Sequence, residues 1–314
     1  MRKRAVLGGF AFVMNVSRLV GSETYTLAPN HQLRRARPSE IAFIKENIRK
    51  HAPPPHNDFQ GLWEQRLPLQ GGQPELLPVT EQRYFVIAFT GTNQTLVDLE
   101  HAFDLSPLEL EVGFTAVGFA GKRNHGVILF PGRLFHTLEN VLFDNSFFVD
   151  VTAADIKEIR TIYAQLQRHD QSLLNVERLT LQLGELKTLP RHSPLRFLGY
   201  FAILESLITH NPQPADPYDS ITRQVKKKLA LLNSRFVHPI DYAPFGKTTA
   251  MDKIWATMYD YRSCVAHGGV PDFTKSLKIL GNHGAALALI TGTVKAVMRR
   301  ALTEPKLLLD LREC

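Results

Sequence analysis

From about residue 150 onward the apolar residues of this chain recur at helical spacing almost throughout, and before that point they do so convincingly in one stretch only. Thr152 and Asp155 stand at capping-box spacing ahead of Ile156, Ile159, Ile162 and Leu166, which share one helical stripe. A second helical pattern runs through "SLLNVERLTLQLGEL". A third, "SPLRFLGYFAILESLITH", opens with Ser193 and Pro194 in the N-cap and N1 positions. It is apolar around most of its circumference, which predicts a place at the centre of a bundle. The fourth, "SITRQVKKKLALLNSRF", puts Ile221, Val225, Leu229, Leu232 and Phe236 on one face and Arg223, Lys226 and Lys227 opposite. Thr249, with Asp252 three residues on, introduces a fifth, and a last helix is expected over roughly 284–303.

Residues 1–150 follow other rules. Short β-like runs occur at "VLGGFAFVMNV", "RYFVIAFT" and "HGVILFPG", with Gly- and Pro-containing turns around them. One helix stands out there, "SEIAFIKENIRKH", with Ser39 as N-cap and Ile41, Ile44 and Ile48 in phase. The following "HAPPPHNDFQGLWEQRLPLQGGQPELLP" breaks all periodicity and reads as loop. His51, His56 and Asp58 fall in or beside it, but its prolines oppose a fixed ligand geometry, so no metal site is expected. The predicted fold class is α+β: a mixed α/β domain over 1–150 and an all-α helical domain over 151–314.

Length and composition narrow the function. The 314 residues suffice for two domains, and a formal net charge of +7 suits a polyanionic partner without requiring one. Two cysteines, Cys264 and Cys314, form no disulfide framework and suit a reducing compartment. The start "MRKRAVLGGFAFVMNV" has the basic tip and apolar run of a secretory signal. Asn15 interrupts the run, however, and Arg18 stands where small residues should follow, so a first strand explains it better. No run reaches the roughly 18 apolar residues of a membrane span. A cytoplasmic protein with no membrane association is the expectation.

The segment "IWATMYDYRSCVAHGGV", residues 254–270, concentrates reactive side chains at the end of one helix. Ile254, Met258, Tyr261 and Val265 form its core stripe, and Arg262 lies at the stripe edge. Ser263 and His267, four apart, are neighbours on another face, whereas Arg262 and His267 are about 140° apart. In structural terms, Arg262 would pair with Glu205 on the otherwise apolar third helix, and His267 would suit the helix C-terminus. In functional terms, an arginine and a histidine without metal suit RNA phosphodiester cleavage. The histidine moves protons while the 2′-OH attacks phosphorus, and the arginine stabilises the phosphorane charge. One histidine serves both the attacking and the departing oxygen poorly, so two copies meeting in a homodimer would complete the site.

"YDYRSCVAHGG" resembles the Arg-x4-His signature of the HEPN superfamily, in particular the Apea-like HEPN group. "FLGYFAILESLITH" is similar to the first long helix of those domains, with Glu205 at their acidic position. "VERLTLQLGELKTLPRHSPLRFLGYF" resembles their lead-in helix, and "YDSITRQVKKKLALL" and "TAMDKIWATMYDYRSCVAHG" follow in the expected order. The resemblance covers about residues 170–305. It implies a helical HEPN-like bundle, a metal-independent ribonuclease site at Arg262 and His267, dimerisation through these helices, and service in prokaryotic anti-phage defence or toxin systems. It also implies RNA as substrate and a regulatory or defence-system partner protein, with no cofactor. Many active members carry Asn, Asp or His after the arginine; here Ser263 takes that place, with the role of orienting His267. Members paired with a nucleotidyltransferase antitoxin carry tyrosine three residues after the histidine, and Val270 departs from that. The rival implication is a non-catalytic dimerisation or ligand-binding HEPN module, which Ser263 and an Arg262–Glu205 pair would favour.

Three further features carry less. Cys264 reads as a structural thiol on the flank of the core. "FGKTT", residues 245–249, echoes a phosphate loop, but Asp241 replaces its first glycine and no strand leads in. The face of Arg223, Lys226 and Lys227 is either a solvated surface or a contact for RNA phosphates. The first domain carries no recognisable constellation; by analogy it would sense a trigger or choose the substrate.

Overall fold

The computed structural model describes residues 8–51, 61–66, 73–90, 94–118, 127–129, 134, 147–212, 219–246 and 248–313. The fold is α+β, a sheet region with helices followed by a helical region. It forms two compact units, Met1–Ala164 and Gln165–Cys314.

In the first unit, β1 (Gly8–Val13) lies between β7 (Phe85–Thr90) and β8 (Val112–Val117). β3 (Thr24–Ala28), β4 (His31–Arg35) and β9 (Val127–Leu129) extend the sheet to the order β3-β4-β7-β1-β8-β9, antiparallel throughout. Being central, β1 is buried almost throughout, which is why it reads as a continuous apolar run. Phe10, Phe12 and Met14 pack against Ile44 and Ile48 of α1 (Pro38–His51) and against Trp63. Asn15, the break in that run, is buried and rivets another segment. Its Nδ2 donates to the Glu109 carbonyl at 2.7 Å, and its Oδ1 accepts from the Glu111 amide at 2.9 Å. β2 (Val16–Leu19) pairs in parallel with β10 (Val149–Val151), from which Thr152 and Asp155 cap α4 (Ala153–Arg168) reciprocally.

Several local expectations are corrected. Ser39 is not the N-cap of α1: the Arg37 carbonyl accepts the first helical bond from Ile41, and Glu40 reaches back to the Arg37 amide at 2.7 Å. Pro38 can occupy the first helical position because it has no N–H to lose. The aperiodic stretch after His51 contains one turn of helix, α2 (Gly61–Glu64), because the Trp63 indole buries itself and donates to the Met14 carbonyl at 2.7 Å. Short strands β5 (Gln65–Arg66) and β6 (Glu75–Leu76) pair beside it. α3 (Gln94–Leu105), unanticipated, buries Leu96, Leu99 and Phe103.

The second unit contains α5 (Val176–Leu186), α6 (Pro194–Ile208), α7 (Ile221–Asn233), α8 (Met251–Ala266), α9 (His283–Thr303) and α10 (Pro305–Glu313). α6 starts with Ser193 as N-cap and Pro194 at N1, and packs against all five others, burying seven apolar residues. Gly199 permits its close approach to α5: a Cβ there would collide with Leu186 Cδ2. Thr249 does not cap α8. Ala250 holds that position, and the Thr249 hydroxyl donates to the Phe245 carbonyl at 2.7 Å. No helix among the described residues is long and apolar enough to cross a membrane.

Candidate active site

α8 is held by Ile254, Trp255, Met258 and Tyr261, all fully buried, so the opposite edge and last turn of the helix face outward. Tyr261 packs on Phe197 at 4.2 Å between ring centroids and against Phe273 at 5.1 Å. Its hydroxyl meets His283 Nδ1 at 2.7 Å, while His283 Nε2 meets the Arg191 carbonyl at 2.8 Å. A carbonyl can only accept, so His283 carries its proton on Nε2 and its Nδ1 accepts from Tyr261. Burial pushes the Tyr261 phenol up to about 12, so it remains a donor. This relay, which the sequence did not disclose, ties the start of α9 to the helix that carries Arg262.

Arg262 is anchored from one side. Its Nη2 donates to Glu205 Oε2 at 3.1 Å, the ion pair expected from the acidic interruption of α6. The side chains are 28% and 16% exposed, and the guanidinium lies 5.8 Å from the Tyr259 ring centroid. The pair is incompletely bonded: Arg262 Nε and Glu205 Oε1 are both buried without a hydrogen-bond partner among the described residues. One bond and partial exposure hold the guanidinium near a place while leaving donors for another anion.

His267 closes α8. Its amide donates to the Ser263 carbonyl at 3.0 Å, and Gly268 then turns at φ 72°. Gly268 N–H donates to the Val265 carbonyl and Gly269 N–H to the Cys264 carbonyl, the paired bonds of a Schellman stop. The turn leaves His267 and Val270 exposed. No hydrogen bond joins His267 to Arg262 or to the Ser263 hydroxyl, so one chain presents the two side chains separately, as their angular spacing demands. Cys264 is half-buried rather than enclosed, its Sγ 2.8 Å from where a Cβ on Gly269 would stand.

On α7, Ser220 caps the helix and Val225, Leu229 and Leu232 face inward, leaving Arg223 and Lys227 exposed and Lys226 half-buried. The run of lysines is not uniform. Lys228 turns inward, with Nζ 3.4 Å from both His210 Nδ1 and Gln224 Oε1. His210 Nε2 meets Asp219 Oδ2 at 3.1 Å, and Gln224 donates to Asp219 Oδ1 at 2.7 Å. This partly buried polar cluster is hidden in the sequence because residues 210 and 219 frame a Pro-rich break and the third lysine looks like its neighbours. Asp272, half-exposed, accepts from the Thr274 hydroxyl and amide and the Lys275 amide, which hold its carboxyl below the ordinary range and shape the return toward α9.

Among the described residues no group of three or more His, Cys, Asp or Glu side chains could hold a metal ion. His56, Asp58, Lys247 and Cys314 lie outside the described residues. No family model, no curated protein and no solved structure matches this chain.

Proposed function

We propose that the chain is a metal-independent endoribonuclease of HEPN type that acts as a homodimer in the cytoplasm, in anti-phage defence or a toxin-like system. The observation that carries this reading is the end of α8. There an exposed histidine follows, five residues on, a guanidinium held by a single bond and still partly open to solvent. In the proposed reaction Arg262 binds the scissile phosphate. His267 of one copy takes the 2′-OH proton as O2′ attacks phosphorus, and His267 of the second copy returns a proton to the departing O5′. The products are a 2′,3′-cyclic phosphate and a 5′-hydroxyl. Ser263, whose hydroxyl is not bonded to His267 in the free chain, orients it once RNA is bound, Glu205 restrains Arg262, and Arg223, Lys226 and Lys227 hold flanking phosphates. A partner protein controls the activity.

The test is RNA cleavage in the presence of EDTA by the wild-type protein, His267→Ala and Arg262→Ala. Cleavage with cyclic phosphate ends by the wild type, lost in both variants, is the expected result. Equal cleavage by all three proteins would remove these residues from the site. The alternative, a non-catalytic dimerisation or RNA-binding module, draws on the Arg262–Glu205 pair, in which the positive charge already has a counter-ion. It predicts RNA retention without cleavage by a folded dimer.

A further inference from the structure

The first unit contains an open, half-polar pocket where a packed sheet face would be expected. Across the sheet, Gln32 on β4 pairs with Ala88 on β7, which pairs with Phe10 on β1. One step along, Arg34 pairs with Val86 and Val86 with Phe12. Phe10, Phe12 and Val86 are covered by the core that α1 contributes to. Ala88 is not: it stays half-exposed although β7 has a strand on either side. Its methyl group is too short to fill the space between Gln32 and the first turn of α1. The result is a cavity of about 450 Å³, within the size range of small-ligand sites.

The cavity's polar groups divide into a committed pair and an uncommitted set. Arg34 and Glu40 hold one another through two parallel bonds of 2.8 Å, so their charges cancel. Arg37 bonds Glu40 only through its backbone amide, and its guanidinium acts on that carboxylate through charge alone. Among the described residues its exposed guanidinium has no hydrogen bond, and neither has the Ser39 hydroxyl or the Gln32 amide. Asn30, in the β3–β4 turn at φ 61°, completes the rim, with its carbonyl accepting from the Thr90 amide at 3.2 Å. A guanidinium fork and a hydroxyl together offer three donors, which match the three terminal oxygens of a phosphate monoester better than the two of a carboxylate. Bare phosphate would leave most of the cavity empty, and the two rim amides present donors and acceptors suited to a polar heterocycle edge.

We infer that this cavity binds a small organic phosphate of mononucleotide size, with Arg37 and Ser39 taking the phosphate and Gln32 and Asn30 the organic part. The inference is independent of the ribonuclease reading. Titration calorimetry of the full chain with each of the four nucleoside 5′-monophosphates tests it, with the unphosphorylated nucleosides as controls. At least one monophosphate binds saturably and its nucleoside much more weakly. Affinity falls at least about tenfold in Arg37→Glu and in Ala88→Leu, which fills the cavity. Arg37→Gln, which removes the charge of an exposed side chain without reversing it, gives a smaller loss in the same direction and guards against misfolding of the charge reversal. Saturable binding by no monophosphate would overturn the inference. So would undiminished affinity in Arg37→Glu, Arg37→Gln and Ala88→Leu, or binding confined to an RNA oligonucleotide.

Discussion

Two arginine–glutamate pairs, one in each unit, are built to different standards. Arg34 and Glu40 share two bonds of 2.8 Å, are 14% and 7% exposed, and add a third bond from the Arg37 amide. Arg262 and Glu205 share one bond of 3.1 Å, are 28% and 16% exposed, and leave a buried nitrogen and oxygen unsatisfied. A charge taken out of water is tolerated when every lone pair is met, and a pair left short of that is free to exchange partners. The first pair fixes where α1 begins. The second holds a guanidinium without consuming it, which suits the phosphate-binding role proposed for it.

The comparison breaks most readily at Glu40. Glu40→Ala leaves Arg34 buried and uncompensated, and denaturant unfolding should show a loss of about 3–5 kcal/mol. Glu205→Ala should cost less, about 1–2 kcal/mol, because its partner is more exposed and singly bonded. Equal losses would mean that the two pairs do the same job. Acid sharpens the contrast. Burial pushes the Glu40 carboxyl up, but hydrogen bonds from Arg34 and the Arg37 amide, with the charges of both arginines, outweigh it and hold the carboxyl below its ordinary value of 4.5. A carboxyl depressed in the folded state contributes stability above its unfolded pKa and loses it as the pH falls through the folded one. Unfolding followed between about pH 5 and pH 3 should therefore be steeper for the wild type than for Glu40→Gln. The smallest expected effect lies beyond Arg262. Gly268→Ala puts a side chain at φ 72° with open space around it, so the cost is backbone strain of about 1 kcal/mol. Its informative readout is RNA cleavage, which should fall further than stability if the direction of His267 matters.

The helical half was legible because its signals are local: Ser193–Pro194 starts α6, Thr152 and Asp155 start α4, and the apolar stripes mark what is buried. In the first half α1 was legible, but of the strands only β1, β7 and β9 were. The β3–β4 hairpin is mostly polar at the sheet edge and shows little apolar alternation, and Trp63 takes its helical turn from a long-range bond to Met14. At the candidate site the ion pair could be anticipated, since a lone Glu205 on an apolar helix demands a cation. The Tyr261–His283–Arg191 relay could not, because it joins three elements far apart in sequence. Lys228 misled for a related reason: a buried lysine and a solvated one look alike until His210 and Gln224 are seen around it.

Asn15 has a consequence for motion. Its side chain receives the Glu111 amide, and the Glu111 carbonyl in turn accepts from Met14 at 2.8 Å, so a stretch outside the strands borrows both bonds from the end of β1. That amide cannot open alone. In deuterated solvent it should exchange on the clock of the central strand, orders of magnitude slower than an ordinary connecting segment, and so report when the sheet itself comes apart.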